Sequence, residues 1–155
     1  MRSIKLKFLF FGIITILIAL LQRMNFEIYF LKPNFVLAWL SSLIVSSLSL
    51  YQIWILAVLA AIISSTGSWQ GILAASLLVS FISMSWLACR YLKRDWTGLI
   101  FTITSSTILF FILSLFLLIL VGQKSSPLIF LNVFSKEIIY NILLSLALAL
   151  IIKKR

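Results

Sequence analysis

The sequence predicts an all-α polytopic membrane protein: a single transmembrane domain over residues 1–155, built as a bundle of about six helices with both ends in the cytoplasm. Hydrophobic residues make up 63% of the chain and charged residues only 10%, whereas a soluble domain carries roughly 25% charged residues. The apolar residues form runs of a length suited to crossing a bilayer. The basic residues lie in short clusters between those runs.

The charge balance is strongly basic, with 13 Lys and Arg against 3 acidic residues and no histidine. A net charge of +10 in a soluble protein would point to nucleic acid. Here the cations flank apolar runs, so they are interpreted as topology signals and headgroup anchors. The expected partner is therefore the lipid bilayer and not nucleic acid. With Cys89 alone and no histidine, no internal disulfide, metal site or cofactor is expected.

The first predicted span covers residues 8–22, and the flanking Lys7 and Arg23 can extend to the interface. No small-residue cleavage pattern follows it, so this run is expected to be retained and not removed as a signal peptide. Residues 23–32 are semi-polar and are expected to form an interfacial loop.

The stretch of residues 34–89 contains no charged residue and is predicted to form three spans. Pro33 is expected to open the second span, which continues to about Leu50. The predicted breaks are residues 49–52 and 64–68, where hydroxyls and turn formers gather. Between them, residues 53–63 would make an unusually short third span.

The C-terminal part of the chain is expected to add two spans, residues 97–121 and 138–152. Residues 123–135 are interpreted as a loop whose apolar patch, residues 128–131, lies along the membrane interface.

The distribution of cations favours this count of six. With the N-terminus inside, nine cations fall on the cytoplasmic side and four outside. Two spans in place of three would move the central basic cluster outside. The inside set is Arg2, Lys5, Lys7, Arg90, Lys93, Arg94, Lys153, Lys154 and Arg155, and the outside set is Arg23, Lys32, Lys124 and Lys136.

The acidic residues Glu27, Asp95 and Glu137 are all expected at or beyond helix ends, with Asp95 in a solvated ion pair beside Arg94. No charged side chain is expected inside the membrane. Proton-coupled transporters usually keep a carboxylate there. The absence of a charged group counts against such a transporter and against an intramembrane protease or hydrolase. The protein is therefore expected to be non-enzymatic, without catalytic residues.

Small residues recur at helical spacing, which lets helix backbones approach closely. One set is Gly67, Gly71 and Ala75, and a second is Ala57 and Ala61. They serve either packing within this bundle or the docking of another protein's helix.

Several polar side chains within the apolar runs are expected to bond between helices. Asn141, the most strongly polar residue of the last run, should face the bundle or a partner helix. Trp39, Trp54 and Trp86 do not form a recognisable ligand box. The hydroxyls expected to make interhelical hydrogen bonds are those of Ser42, Ser46, Thr102, Ser105 and Ser106.

Four segments together resemble the MreD family, small bacterial membrane proteins of the rod-shape machinery. They are a basic start with a run ending Leu20-Leu21-Gln22, then Lys32-Pro33-Asn34-Phe35-Val36-Leu37, Gly67-Ser68-Trp69-Gln70-Gly71, and Asn141-Ile142-Leu143-Leu144 before a basic end. In order and spacing they cover nearly the whole chain. The family often has an acidic residue shortly before the glycine turn, where this chain has Ile63, Ser64 and Ser65, so a role for that carboxylate is not carried over.

The resemblance implies six helices arranged similarly to the substrate-binding components of energy-coupling-factor vitamin transporters. It also implies a scaffold in the bacterial inner membrane that binds the membrane helix of MreC. Through it, MreB filaments would be coupled to the peptidoglycan-elongating synthase and transpeptidase. The candidate partner-binding or packing residues are Pro33, Asn34, Gly67, Gly71 and Asn141.

A second hypothesis is a membrane component of a vitamin transporter that binds a small molecule between its helices. Its pocket would depend on the few polar residues of the runs, namely Asn34, Gln52, Gln70 and Asn141. A third, an assembly factor for another membrane complex, has the same sequence features as the first.

Overall fold

A computed structural model describes residues 2–23, 34–65, 68–122 and 127–153. Within these ranges the chain forms six α-helices and no strand, which confirms the all-α prediction. A 3₁₀ turn, Leu43–Val45, continues the second helix. The helices are α1 Arg2–Arg23, α2 Phe35–Ser42, α3 Leu50–Ser64, α4 Ser68–Tyr91, α5 Trp96–Leu120 and α6 Pro127–Lys153.

The short helix α2 forms the centre of the bundle. It packs against α6, α1 and α5 and also touches α3 and α4, while α4 lies against α5 and α3, and α3 lies against α1. Residues 36–44 are each at most 4% exposed. With its 3₁₀ turn, α2 is about 18 Å long, which is shorter than the ~30 Å hydrocarbon core of a bilayer. The central helix is therefore enclosed on all sides by longer ones.

The second helical segment ends at Val45, so the prediction that it continues to about Leu50 is wrong. Ser46 turns to an extended conformation, and its hydroxyl donates to the Leu43 carbonyl. Ser49 and Gln52 then form a capping box that begins α3. The break lies at residues 46–49, one turn earlier than predicted, because the serine hydroxyls satisfy the backbone there.

The break at residues 64–68 is confirmed, since α3 ends at Ser64 and α4 begins at Ser68. The uncharged stretch thus forms three helical segments, as predicted. Residues 123–135 are not a loop throughout, because α6 already begins at Pro127. Proline is favoured in a first helical turn, where no amide donor is needed, and no helix breaker follows before residue 138.

Within the described ranges, two helices are long and apolar enough to cross a membrane, over Gly71–Tyr91 and Trp96–Leu117. The bundle also exposes large apolar side chains, among them Leu9, Leu17 and Phe116, each at least 58% exposed. Many polar side chains lie inside instead, among them Ser41, Thr102 and Ser145. Exposed apolar area of this kind marks a surface that contacts lipid or another protein.

Candidate functional site

Two of the candidate residues, Asn34 and Asn141, meet at the start of the central helix. The backbone amide of Asn34 donates to Oδ1 of Asn141 at 3.0 Å. Oδ1 of Asn34 in turn accepts from the amide of Leu37 at 2.9 Å, which makes Asn34 the N-cap of α2. Asn141 is fully buried, so of the two orientations that the sequence left open, toward the bundle or toward a partner helix, the structure has the first.

Gln22 and Thr107 complete this cluster. The amide of Phe35 donates to Oε1 of Gln22, at the end of α1, at 2.7 Å. The Asn141 amide nitrogen lies 3.5 Å from the Thr107 hydroxyl on α5. The first amides of a helix have no partner within it, and here side chains from α1 and α6 supply acceptors. We call Gln22, Asn34, Thr107 and Asn141 the polar cap.

The polar cap lies deep in the bundle. Thr107 and Asn141 are close to the midpoints of α5 and α6, and both are at most 1% exposed. An unpaired amide at that depth costs several kcal/mol in an apolar medium. The chemistry that these four side chains perform is therefore to hold the start of a buried helix, with neutral amides and a hydroxyl that do not titrate.

The other end of α2 is held by the connection between α4 and α5. Nε of Arg94 donates to the Ile44 carbonyl at 3.2 Å, where a cation also complements the helix dipole. Gly98 lies against this connection: a Cβ there would overlap the Lys93 carbonyl oxygen and reach Ile44. The start of the central helix is thus fixed by side chains from other helices, and its end by a side chain from the connection between α4 and α5.

Asp95 caps α5, which differs from the predicted ion pair with Arg94. Its Oδ1 accepts from the Thr97 hydroxyl at 2.6 Å and from the amides of Thr97 and Gly98 at 2.9 and 3.3 Å. The Thr97 hydroxyl, followed by the Gly98 amide, holds the pKa of this carboxyl below its ordinary value. Asp95 lies outside the helices, as predicted.

Glu137 does not lie at a helix end, so that prediction is wrong. It sits ten residues after the start of α6 at Pro127 and is only 9% exposed. The reason is that residues 123–135 were predicted to form a loop, so the last helix was expected to start at residue 138 and not at Pro127. Glu137 is one turn before Asn141 and on the same face of α6.

The small residues divide between the interior and the surface. Ala57 and Ala61 are buried, at 0% and 3% exposure, and serve packing within the bundle. Gly71 and Ala75 lie on the outer face of α4, and a Cβ added at Gly71 would meet no atom within 4 Å. Pro33 and Gly67, the other two candidates, lie outside the described residues.

The hydroxyls expected to link helices mostly bond within their own. Those of Ser42 and Ser46 donate to carbonyls three residues earlier, and those of Thr102, Ser105 and Ser106 to carbonyls four residues earlier. Such local bonds satisfy a hydroxyl without a neighbouring helix.

The indoles make the interhelical bonds instead. Nε1 of Trp39 donates to the Thr15 hydroxyl at 2.9 Å, and Nε1 of Trp54 donates to the Ser85 hydroxyl at 3.1 Å. Trp86 is 43% exposed and lies under the Arg90 guanidinium. The sequence signal for the Trp39 contact was Thr15, a polar residue inside the first apolar run. Sequence alone did not show which of many side chains would bond to Thr15.

In the described part of the chain, no three His, Cys, Asp or Glu side chains gather where they could hold a metal ion. The residues that the structure brings together are Asn34 and Asn141, joined by Gln22 and Thr107, which sequence reasoning gave no role. No protein-family model, curated protein or solved structure gives a significant match to this chain.

Proposed function

We propose that this protein is a non-catalytic scaffold of the cell-elongation machinery in the bacterial inner membrane. It spans the membrane with both ends in the cytoplasm and binds an MreC-like membrane protein. In this way it helps to couple MreB filaments to the peptidoglycan-elongating synthase and transpeptidase. This role is the one that the MreD resemblance implies.

One observation carries the proposal: three of the four segments that resemble the family converge on one contact. The first ends at Gln22, the second contains Asn34 and Phe35, and the fourth begins at Asn141. Their polar atoms are joined by hydrogen bonds of 2.7 and 3.0 Å. These segments are far apart in sequence but bond to each other in the fold. Their contact supports the resemblance to the family better than four short matches without contact would.

The placement of the cations supports the proposed topology. Lys7 and Lys153 line one cavity together with Val45, and Arg94 binds the carbonyl of the neighbouring Ile44. These cations therefore gather where α2 ends, opposite to the polar cap. By the positive-inside rule this end of the bundle faces the cytoplasm.

The outer face of α4 is the candidate surface for the MreC-like helix. At two successive turns this face carries only the small residues Gly71 and Ala75. Val79, 57% exposed, lies on the same face one turn later. A small-xxx-small face of this kind allows close backbone contact between membrane helices. Asn34 and Asn141 serve the fold and not the partner.

The test is affinity purification from native membranes in mild detergent, followed by mass spectrometry. The wild-type chain should recover an MreC-like protein together with the synthase. Gly71→Leu should lose them without any fall in its melting temperature, and Gly12→Ala, on α1, should keep them. Recovery of an ATPase pair with its membrane coupler would refute the proposal in favour of solute uptake.

Depletion of the chain in its host provides a second test, since rod-shaped cells should become round. Unchanged cell shape and wall insertion, in a strain without a second copy, would contradict the proposed role.

The solute-binding alternative has less support from the geometry. Of its four polar residues, Asn34 and Asn141 bond to each other, and Gln52 belongs to the capping box at the opposite end of α2. The side chain of Gln70 lies outside the described residues. The three described side chains do not converge on one cavity.

A further inference from the structure

A cleft runs between α1 and α6. Among the described residues, α1 packs mainly against α3 and α2, and α6 against α2 and α5, so the two helices have little direct contact. The gap between them contains two cavities of about 380 and 260 Å³. Phe10, Phe11 and Ile152 line both cavities, so the cleft is continuous.

The wider cavity lies at the basic end of the bundle and is lined by cations from both helices. Lys7 of α1 and Lys153 of α6 face it, together with Ser46 and Ser47 from the connection after α2. Both lysines are exposed, and none of the described residues lining this cavity is acidic. Nζ of Lys153 also lies 5.2 Å from the centre of the Trp96 ring, a cation–π contact. This end of the cleft is suited to an anion.

The narrower cavity is apolar and extends from there toward the middle of the bundle. It is lined by Ile14, Ile18 and Leu148 and reaches Trp39 of the central helix. From Leu6 to Ile18 the cleft follows α1 for about 18 Å, at 1.5 Å per residue. A free anion needs no such apolar extension. A membrane helix, at least ~10 Å wide, needs more room than this cavity gives.

We propose that this cleft binds an anionic phospholipid from the cytoplasmic leaflet. The phosphate lies between Lys7 and Lys153, and one acyl chain extends along α1 to Trp39. Paired cations at the end of a lateral apolar groove match the two chemical parts of such a lipid. The inference rests on the membrane embedding proposed above but not on the role in cell elongation.

Native mass spectrometry of the full chain in detergent tests the site, with equal amounts of phosphatidylglycerol and phosphatidylcholine added. The wild type should retain phosphatidylglycerol preferentially. Each lysine should contribute about a five-fold preference, the effect of one cation near an anionic headgroup. Lys7→Gln with Lys153→Gln should therefore lose nearly all of it, and each single substitution about half of the effect on a logarithmic scale.

The matched control is Arg90→Gln with Lys93→Gln, which removes two exposed cations from the same end of the bundle but outside the cleft. It should keep the wild-type preference. An equal loss in the control, or an unchanged preference in the lysine variant, would overturn the site. Displacement of the lipid by millimolar inorganic phosphate would also overturn it, in favour of a site for free anions.

Alkaline carbonate extraction of membranes separates this inference from the embedding on which it rests. A chain that is released by carbonate refutes the embedding and with it the proposed function. A chain that stays in the membrane but shows no lipid preference refutes only the lipid site.

Discussion

The side-chain oxygen of Asn141 accepts a hydrogen bond from the backbone amide of Asn34, a residue 107 positions earlier in the chain. The same amide group of Asn141 lies against Thr107 through its nitrogen. One side chain thus connects α2, α5 and α6 at a point where all three contributing residues are buried. Removal of this side chain should therefore lower the stability of the whole bundle.

Asn141→Leu keeps the branched heavy-atom skeleton of the side chain but removes the acceptor. The Asn34 amide would then be buried without a partner, which costs about 1–3 kcal/mol. Thermal unfolding of the purified chain in detergent should show a clear loss of stability. Ser145→Ala, one turn later, is the control, because that hydroxyl donates only to the Ile142 carbonyl of its own helix. Equal melting temperatures for the two variants would contradict this role of Asn141.

The bond between Trp39 and Thr15 should couple α1 to α2 energetically. A double-mutant cycle with Trp39→Phe and Thr15→Val isolates it. The expected coupling is about 0.6 kcal/mol, the average for side-chain hydrogen bonds between membrane helices. Pairing Trp39→Phe with Ser85→Ala is the control, since Ser85 bonds to Trp54 and should give no coupling. A coupling of similar size in both cycles would show that it does not arise from this bond.

Gly98 and Gly71 should respond in opposite ways to alanine. Gly98→Ala places a Cβ against the Lys93 carbonyl oxygen, a backbone atom that cannot move aside easily, so the chain should be markedly less stable. Gly71→Ala adds a methyl group in open space and should stabilise α4 by up to about 1 kcal/mol through helix propensity. The measurement is the melting temperature of each variant, which should fall for Gly98→Ala and rise for Gly71→Ala relative to the wild type. Tolerance of alanine at Gly98 would mean that the α4–α5 connection is looser than described.

Asp95 should make the stability of the chain sensitive to acid. Its folded-state pKa lies below the ordinary value of 3.8, chiefly through the Thr97 hydroxyl. The ionised cap therefore stabilises the fold above that ordinary value, and the contribution is lost as the pH falls through the lowered pKa. Asp95→Asn, which keeps an acceptor but cannot ionise, should reduce the acid dependence. Parallel melting curves for both proteins from neutral to strongly acidic pH would contradict this.

Much of the fold could be predicted because apolar runs and their breaks are local signals. The break at residues 64–68 and the start of α5, within one residue of the predicted position 97, follow from the residue type and its immediate neighbours. So does the need of Asn141 for a polar partner. The start of α6 could not be found in this way. An apolar patch after Pro127 fits an interfacial segment and a helix equally well until its packing is known.

The candidate site was predictable only in part. Polarity alone marked Asn34 and Asn141 as residues that need partners, but it could not pair them with each other. That pairing depends on the short length of α2, which brings its first amides to the midpoint of α6. Gln22 was overlooked for the same reason, since its role appears only when the end of α1 is placed beside Phe35.

Because of the polar cap, the hydrogen bonds at the start of α2 can be completed only after α6 has been synthesised. The central helix emerges from the ribosome early, yet one of the acceptors for its first amides belongs to the last helix. Until α6 has packed against α2, the Asn34 amide has no acceptor from α6. Chains that stop after α5 would lack both the α6 side of the wall around α2 and the acceptor for the Asn34 amide. Maturation of the bundle therefore depends on its final segment.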